Sequence, residues 1–134
     1  AVGVLVDVGG DLRAIGDAPD DGGWVLAVDH GHGDIGRFAV DGGGIATSSV
    51  LGRRWRSGIE EVHHLLDPVT GRPVHPVFAS VTVVAATAVD AEIATKAVLV
   101  HGRVDAPGTE GTLVLATTVD GGRHGSQELL GLVA

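Results

Sequence analysis

The sequence predicts an α+β fold, a mainly antiparallel sheet with one principal helix. Three observations carry that expectation. Short β-branched runs recur along the chain, glycine clusters and prolines punctuate them, and one stretch alone, near Asp90 to Val100, combines helical periodicity with end signals. An apolar content of 44% with positive mean hydropathy implies a folded chain, and 22 glycines with 5 prolines imply many turns and short elements.

Val2 to Val8 is apolar and β-branched and stops at Gly9-Gly10, which reads as a buried strand entering a tight turn. Asp11 to Ile15 continues as the second strand, and Asp17 to Gly23, holding Pro19, reads as a surface loop. Trp24 to Val28 is the third strand. The glycine-rich stretch His30 to Gly36 leads into a fourth, Arg37 to Val40. Asp41-Gly42-Gly43-Gly44 is a hairpin signal, after which Ile45 to Ser48 returns as the fifth. Beyond a basic connector, Glu61 to Leu66 and Ala79 to Ala85 are the next strands, separated by a loop holding Pro68, Pro73 and Pro76.

The helix has Thr87 as N-cap, Asp90 placed for a near capping box, and Gly102 as its stop. Ile93, Ala94, Ala97 and Val100 are assigned to the face that packs on the sheet. Thr112 to Val119, the turn Asp120-Gly121-Gly122, and Gln127 to Val133 read as a closing hairpin.

At 134 residues the chain is one domain or part of one. Its 17 acidic and 9 basic residues give a net charge of −8, which argues against nucleic acid or an anionic membrane as partner, so an anionic ligand needs a local basic site. The absence of cysteine excludes disulfides and thiol chemistry. No apolar run is long enough for a transmembrane helix. P-loop, dinucleotide and HExxH signatures are absent.

The run His63-His64-Leu65-Leu66-Asp67-Pro68-Val69-Thr70-Gly71 concentrates the chemistry. Histidine titrates near neutrality, so His64 can take or give a proton, and Asp67 can orient it or hold a cation. Neighbours on a strand point to opposite faces, so His63 and His64 cannot both face one site. Thr47 and Ser48 follow a glycine-rich turn where hydroxyls can meet phosphate oxygens. Arg53, Arg54 and Arg56 read as a solvated basic run that could also attract an anion. The His30-Gly31-His32 pair lacks a second ligand pair for zinc and reads as a mobile polar loop.

Leu5 to Arg13, Ile45 to Ser48, Arg53 to Arg56, His64 to Gly71, Ser80 to Ala85 and the helix, in that order, resemble the ApbE-type FAD:protein FMN transferases. The likeness runs from about Val4 to Gly102 and implies that residues 1–134 are a single partial domain, the C-terminal part of such an enzyme. Ala1 reads as mid-domain sequence, so the expectation includes a missing N-terminal half or a second chain. Relatives of this kind are often exported or lipid-anchored, and the compartment of this chain is left open.

The resemblance implies transfer of FMN from FAD to a threonine hydroxyl of a target flavoprotein, with release of AMP. Such a transfer needs a general base and a positive charge at the pyrophosphate. It implies His64 as the base, Asp67 as its orienting partner, and Thr47, Ser48, His64 and the Leu65 backbone at the flavin nucleotide. It also implies Mg²⁺ held at the start of the helix by an aspartate and, four residues later, a threonine, which here are Glu92 and Lys96. A protonated lysine donates only and cannot ligate. Two readings stay open. Glu92 and Thr95, about 60° apart around the helix, hold the metal, or the Lys96 ammonium itself neutralises the pyrophosphate. The competing functions are a flavin-binding or FAD-hydrolysing relative without transferase activity, and a non-catalytic half that needs another chain.

Overall fold

The computed structural model describes residues 2–19, 21–31 and 34–132. Strand β1 (Gly3–Val8) turns back into β2 (Asp11–Gly16) through Gly9 and Gly10, whose φ angles of 68° and 99° favour glycine. The Gly10 N–H donates to Asp7 Oδ1 at 2.9 Å and closes the turn. β1 is the edge of the sheet, so Val2, Val4, Val6 and Val8 are exposed where a buried strand was expected. An edge strand lacks a neighbour on one side, and here the valine side is also uncovered.

The main sheet continues with β5 (Gly43–Ser49), β8 (Phe78–Ala85), β9 (Leu113–Thr118) and β10 (Arg123–Gly125), in the order β1-β2-β5-β8-β9-β10. Every pairing is antiparallel. The period-two alternation of these strands supplies two cores. Ala46, Val81, Val83, Val114 and Ala116 pack against helix α1 (Ala88–His101). Ile45 and Leu115 face the opposite way, onto Leu26, Val28 and Phe38 of the hairpin β3 (Trp24–Asp29) and β4 (Asp34–Val40).

Helix α1 begins as its sequence requires. The Asp90 N–H donates to Thr87 Oγ1 at 3.1 Å, the Thr87 hydroxyl donates to Asp90 Oδ2 at 2.6 Å, and Gly102 ends the helix at φ 66°. Its buried face is Ala91, Ala94, Thr95, Val98 and Leu99, whereas Ile93 is 58% exposed. Apolar residues are spread round the helix among Asp90, Glu92, Thr95 and Lys96, so periodicity alone marks no sharp face, and close approach to the sheet decides instead. Gly44 permits that approach, since a Cβ there would lie 2.0 Å from the Ala88 nitrogen.

Two further expectations change. The basic connector is a strand, β6 (Arg54–Ser57), paired with β7 (Glu60–His63) around Gly58, so the strand expected over Glu61 to Leu66 ends at His63. Gln127 onward is a helix, α2 (Gln127–Leu132), in place of a closing strand. The Leu129 and Leu130 N–H groups donate to the Ser126 carbonyl, and Leu129 fills the second core. Among the described residues no helix is long and apolar enough to cross a membrane.

Candidate functional site

Where the β1–β2 turn, the end of β5 and the middle of α1 meet, they line a polar cavity of about 230 Å³. Gly9 and Asp11 come from the turn region, Thr47, Ser48 and Ser49 from β5, and Gly52 and Arg53 from the loop that follows. His64 enters just past β7, and Glu92 and Lys96 project from α1. The structure thus brings together six residues considered in the sequence for the site, its metal or its positive charge, Thr47, Ser48, His64, Glu92, Lys96 and Arg53, and adds Asp11 beside them.

One wall is a continuous polar network. The Lys96 ammonium donates to Glu92, one helical turn back, and to Ser48 Oγ at 2.7 Å. Ser48 Oγ lies 2.8 Å from Thr95 Oγ1, and the Thr95 hydroxyl donates to the Glu92 carbonyl at 2.8 Å. Burial pushes the Asp11 carboxyl above its usual range and the Glu92 carboxylate adds to the rise, while the Lys96 ammonium offsets part of it.

The two adjacent histidines have different environments. His63 is buried, donating from Nε2 to the Val74 carbonyl at 3.0 Å and accepting the Leu65 N–H at Nδ1, 3.3 Å away. Those partners fix it as a neutral imidazole with its proton on Nε2. His64 lines the cavity, and its Nδ1 is buried without a hydrogen-bond partner among the described residues. Orphaned ring nitrogens in buried positions are uncommon and call for an account.

Leu65 and Asp67 stand behind the cavity. The Leu65 side chain is in the first core, its N–H donates to His63, and its carbonyl accepts the Val74 N–H at 3.2 Å, so both of its backbone groups are engaged within the chain. Asp67 Oδ1 accepts the N–H groups of Val69 at 2.7 Å and Thr70 at 3.2 Å, which holds the Pro68 turn. Its carboxylate is committed to that turn, and no hydrogen bond joins it to His64 among the described residues. Of the arginines, Arg53 lines the cavity and Arg54 pairs with Glu61 across the β6–β7 hairpin at 2.9 Å.

Sequence reasoning missed His30. Its loop was expected to be mobile and polar, yet the ring is 1% exposed. Nδ1 lies 2.7 Å from Thr117 Oγ1, Nε2 lies 2.8 Å from Thr82 Oγ1, and Thr82 Oγ1 lies 2.8 Å from Thr47 Oγ1. A buried imidazole is therefore joined through one hydroxyl to the cavity-lining Thr47. His32, the other half of the pair, lies outside the described residues. A larger groove of about 500 Å³ adjoins the cavity at Gly9 and Thr47 and carries apolar surface from Leu12, Leu26, Phe38 and Ile45.

Residues 1–109 match the sequence model of the ApbE family. The chain belongs to that family. The FAD:protein FMN transferase of Salmonella typhimurium is 34% identical over 92 residues, covering 66% of this chain and 26% of the relative. That of Escherichia coli K12 is 33% identical over the same length, with the same coverage. The crystal structure of the ApbE protein from Thermotoga maritima superposes with a TM-score of 0.82 at 27% identity, over 98% of this chain and 45% of that one. The apo flavinyl transferase ApbE of Pseudomonas stutzeri, 23% identical and matched over 98% of this chain and 43% of its own, shares the fold at a TM-score of 0.75. This ApbE-family chain spans about a quarter of the length of its curated relatives and under half of the solved ones.

The divalent metal implied by the resemblance does not fit the residues present. Glu92 is engaged by the Lys96 ammonium, and Thr95 is buried with its hydroxyl tied to Ser48 and to the Glu92 carbonyl. The ammonium stands where a ligand oxygen is required and offers no lone pair. No three His, Asp or Glu side chains converge to hold a metal among the described residues.

Proposed function

We propose that this chain forms the phosphate-handling part of an FAD:protein FMN transferase. The observation that carries the reading is His64, a ring whose buried nitrogen has no partner among the described residues, in a cavity that also holds Lys96 and Arg53. In the proposed reaction the hydroxyl oxygen of an acceptor threonine on a target flavoprotein attacks the phosphorus of the FMN half of FAD. A new P–O bond forms, the pyrophosphate bridge breaks, its electron pair leaves on the phosphate of AMP, and His64 accepts the hydroxyl proton.

The rest of the site supports this division of labour. Lys96 and Arg53 put positive charge beside the breaking bridge. Thr47 offers a hydroxyl at the mouth shared with the larger groove, whose apolar lining suits a ring system. Leu65 and Asp67 act as positioning residues, locking the chain on either side of Leu66 so that His64 keeps its place.

A second reading, a non-catalytic half completed by a missing N-terminal segment or another chain, is favoured by the uncovered valines of β1. The deciding experiment incubates the chain with FAD and an acceptor protein bearing the target threonine, and follows AMP release and the acceptor's mass gain. Transfer by this chain establishes the first reading. Transfer only after the preceding half of a relative is added establishes the second, and no transfer in either case rejects both.

A further inference from the structure

We infer that the Lys96 ammonium is the resident cation of this cavity, so that nucleotide phosphates are held here without a divalent metal. The inference rests on the flavin-nucleotide reading of the site and adds the group that meets the phosphates.

The proton order of the network carries the argument. Thr95 has a single hydroxyl proton, and it is directed to Glu92, whose carbonyl at 2.8 Å and carboxylate Oε2 at 3.4 Å can only accept. The 2.8 Å contact between Thr95 and Ser48 is then made with the proton of Ser48. Ser48, having given its proton to Thr95, receives one from Lys96 at 2.7 Å. Glu92 takes a second ammonium proton. An ammonium has three protons, so the third is left to point into the space that Lys96 lines with Asp11, Arg53 and His64.

Two consequences follow for an anion entering the cavity. The Ser48 hydroxyl has no proton to offer a phosphate oxygen, and the donor on this wall is the lysine. That donor is also fixed in advance, because Glu92 holds it from its own helix and Ser48 holds it from β5, to which Gly44 brings α1 unusually close. A preset ammonium binds phosphate as a point charge with a charge-assisted hydrogen bond. For a divalent cation the same arrangement is repulsive, since the ammonium sits on the one α1 carboxylate the metal would need.

The test uses the wild-type chain, K96T and K96R, each checked by far-UV circular dichroism. The free Mn²⁺ signal in electron paramagnetic resonance reports metal binding, and tryptophan quenching reports FAD binding in chelator or in Mg²⁺. The expected result is that wild type and K96R leave Mn²⁺ free, while K96T, with Glu92 and Asp11 now uncompensated, binds it at least about tenfold more tightly. Wild-type FAD affinity is expected to be the same in chelator and in Mg²⁺, and K96T in chelator to lose about 10- to 100-fold, with K96R largely restoring it. Mn²⁺ binding by wild type as tight as by K96T, or FAD binding strengthened by Mg²⁺ in wild type, overturns the inference. If Mn²⁺ enters K96T alone but FAD binds none of the three chains, the flavin reading fails while metal exclusion by Lys96 stands.

Discussion

Ser48 and Thr95 meet oxygen to oxygen at 2.8 Å across the contact between β5 and α1, both of them buried. Neither is a hydrophobic residue, yet both are buried beside the aliphatic contacts of α1 with the sheet. Their bond ties the strand that carries Thr47 to the helix that carries Glu92 and Lys96, so the two walls of the cavity are registered by a polar contact as well as by packing.

Replacing Thr95 with valine keeps the volume and removes the hydroxyl, leaving the Ser48 proton without its acceptor. Stability should fall by about 1–3 kcal/mol in urea unfolding, the cost of an unsatisfied buried polar group. The S48A/T95V double variant should lose less than the sum of the single losses, because the pair is removed together. Strict additivity would show that the contact contributes nothing.

His64→Gln should leave FAD binding, read by tryptophan quenching, close to wild type and reduce FMN transfer to an acceptor threonine by about 10²- to 10⁴-fold, the usual contribution of a general base. Equal losses of binding and transfer would assign His64 to nucleotide binding instead.

The raised Asp11 carboxyl fixes a sign for pH dependence. Because the folded state holds the proton more tightly than the unfolded chain, the stabilisation it brings is complete in acid and is lost as pH rises through the raised value. Asp11→Asn should therefore gain stability over wild type at neutral pH, and the gain should vanish on acidification below the ordinary aspartate range. Thermal unfolding of both chains across that range checks it. A gain that persists in acid would mean the asparagine acts through packing.

His30→Ala leaves the hydroxyls of Thr82 and Thr117 without the ring and opens a void between the main sheet and the β3–β4 hairpin. A loss of about 2–4 kcal/mol in denaturant unfolding is expected. Hydrogen exchange in β3 and β4 should quicken more than in α1, since the first core does not include the hairpin. Uniform acceleration would place His30 in a structure-wide role.

What was legible in the sequence was local. The glycine turn at Gly9-Gly10, the Thr87 cap with Asp90 and the Gly102 stop depend on neighbours a few residues away, and each stands as read. The unread features have distant partners. Thr82 and Thr117 lie 52 and 87 residues from His30, and Ser48 lies 48 residues from Lys96, so no periodicity could pair them. The β6 strand was hidden by its exposure, because all four of its residues face solvent and leave no alternating pattern. Gln127 to Leu132 failed for another reason: a short run with two adjacent leucines suits a strand or one helical turn, and the pocket for Leu129 in the second core decides. In the site, the spacing of Glu92 and Lys96 announced their pairing, whereas the engagement of Asp67 and of the Leu65 backbone within the chain shows only in three dimensions.

Glu92 and Lys96 sit one turn apart on the same helix, and Ser48 clasps the second of them from the neighbouring strand. Charge supplied in this way is inherited with the gene and is never diluted, exchanged or starved. If Lys96 is the resident cation, as inferred above, binding in this cleft is expected to be the same in a milieu rich in minerals and in one stripped of them, with mineral supply no signal to it.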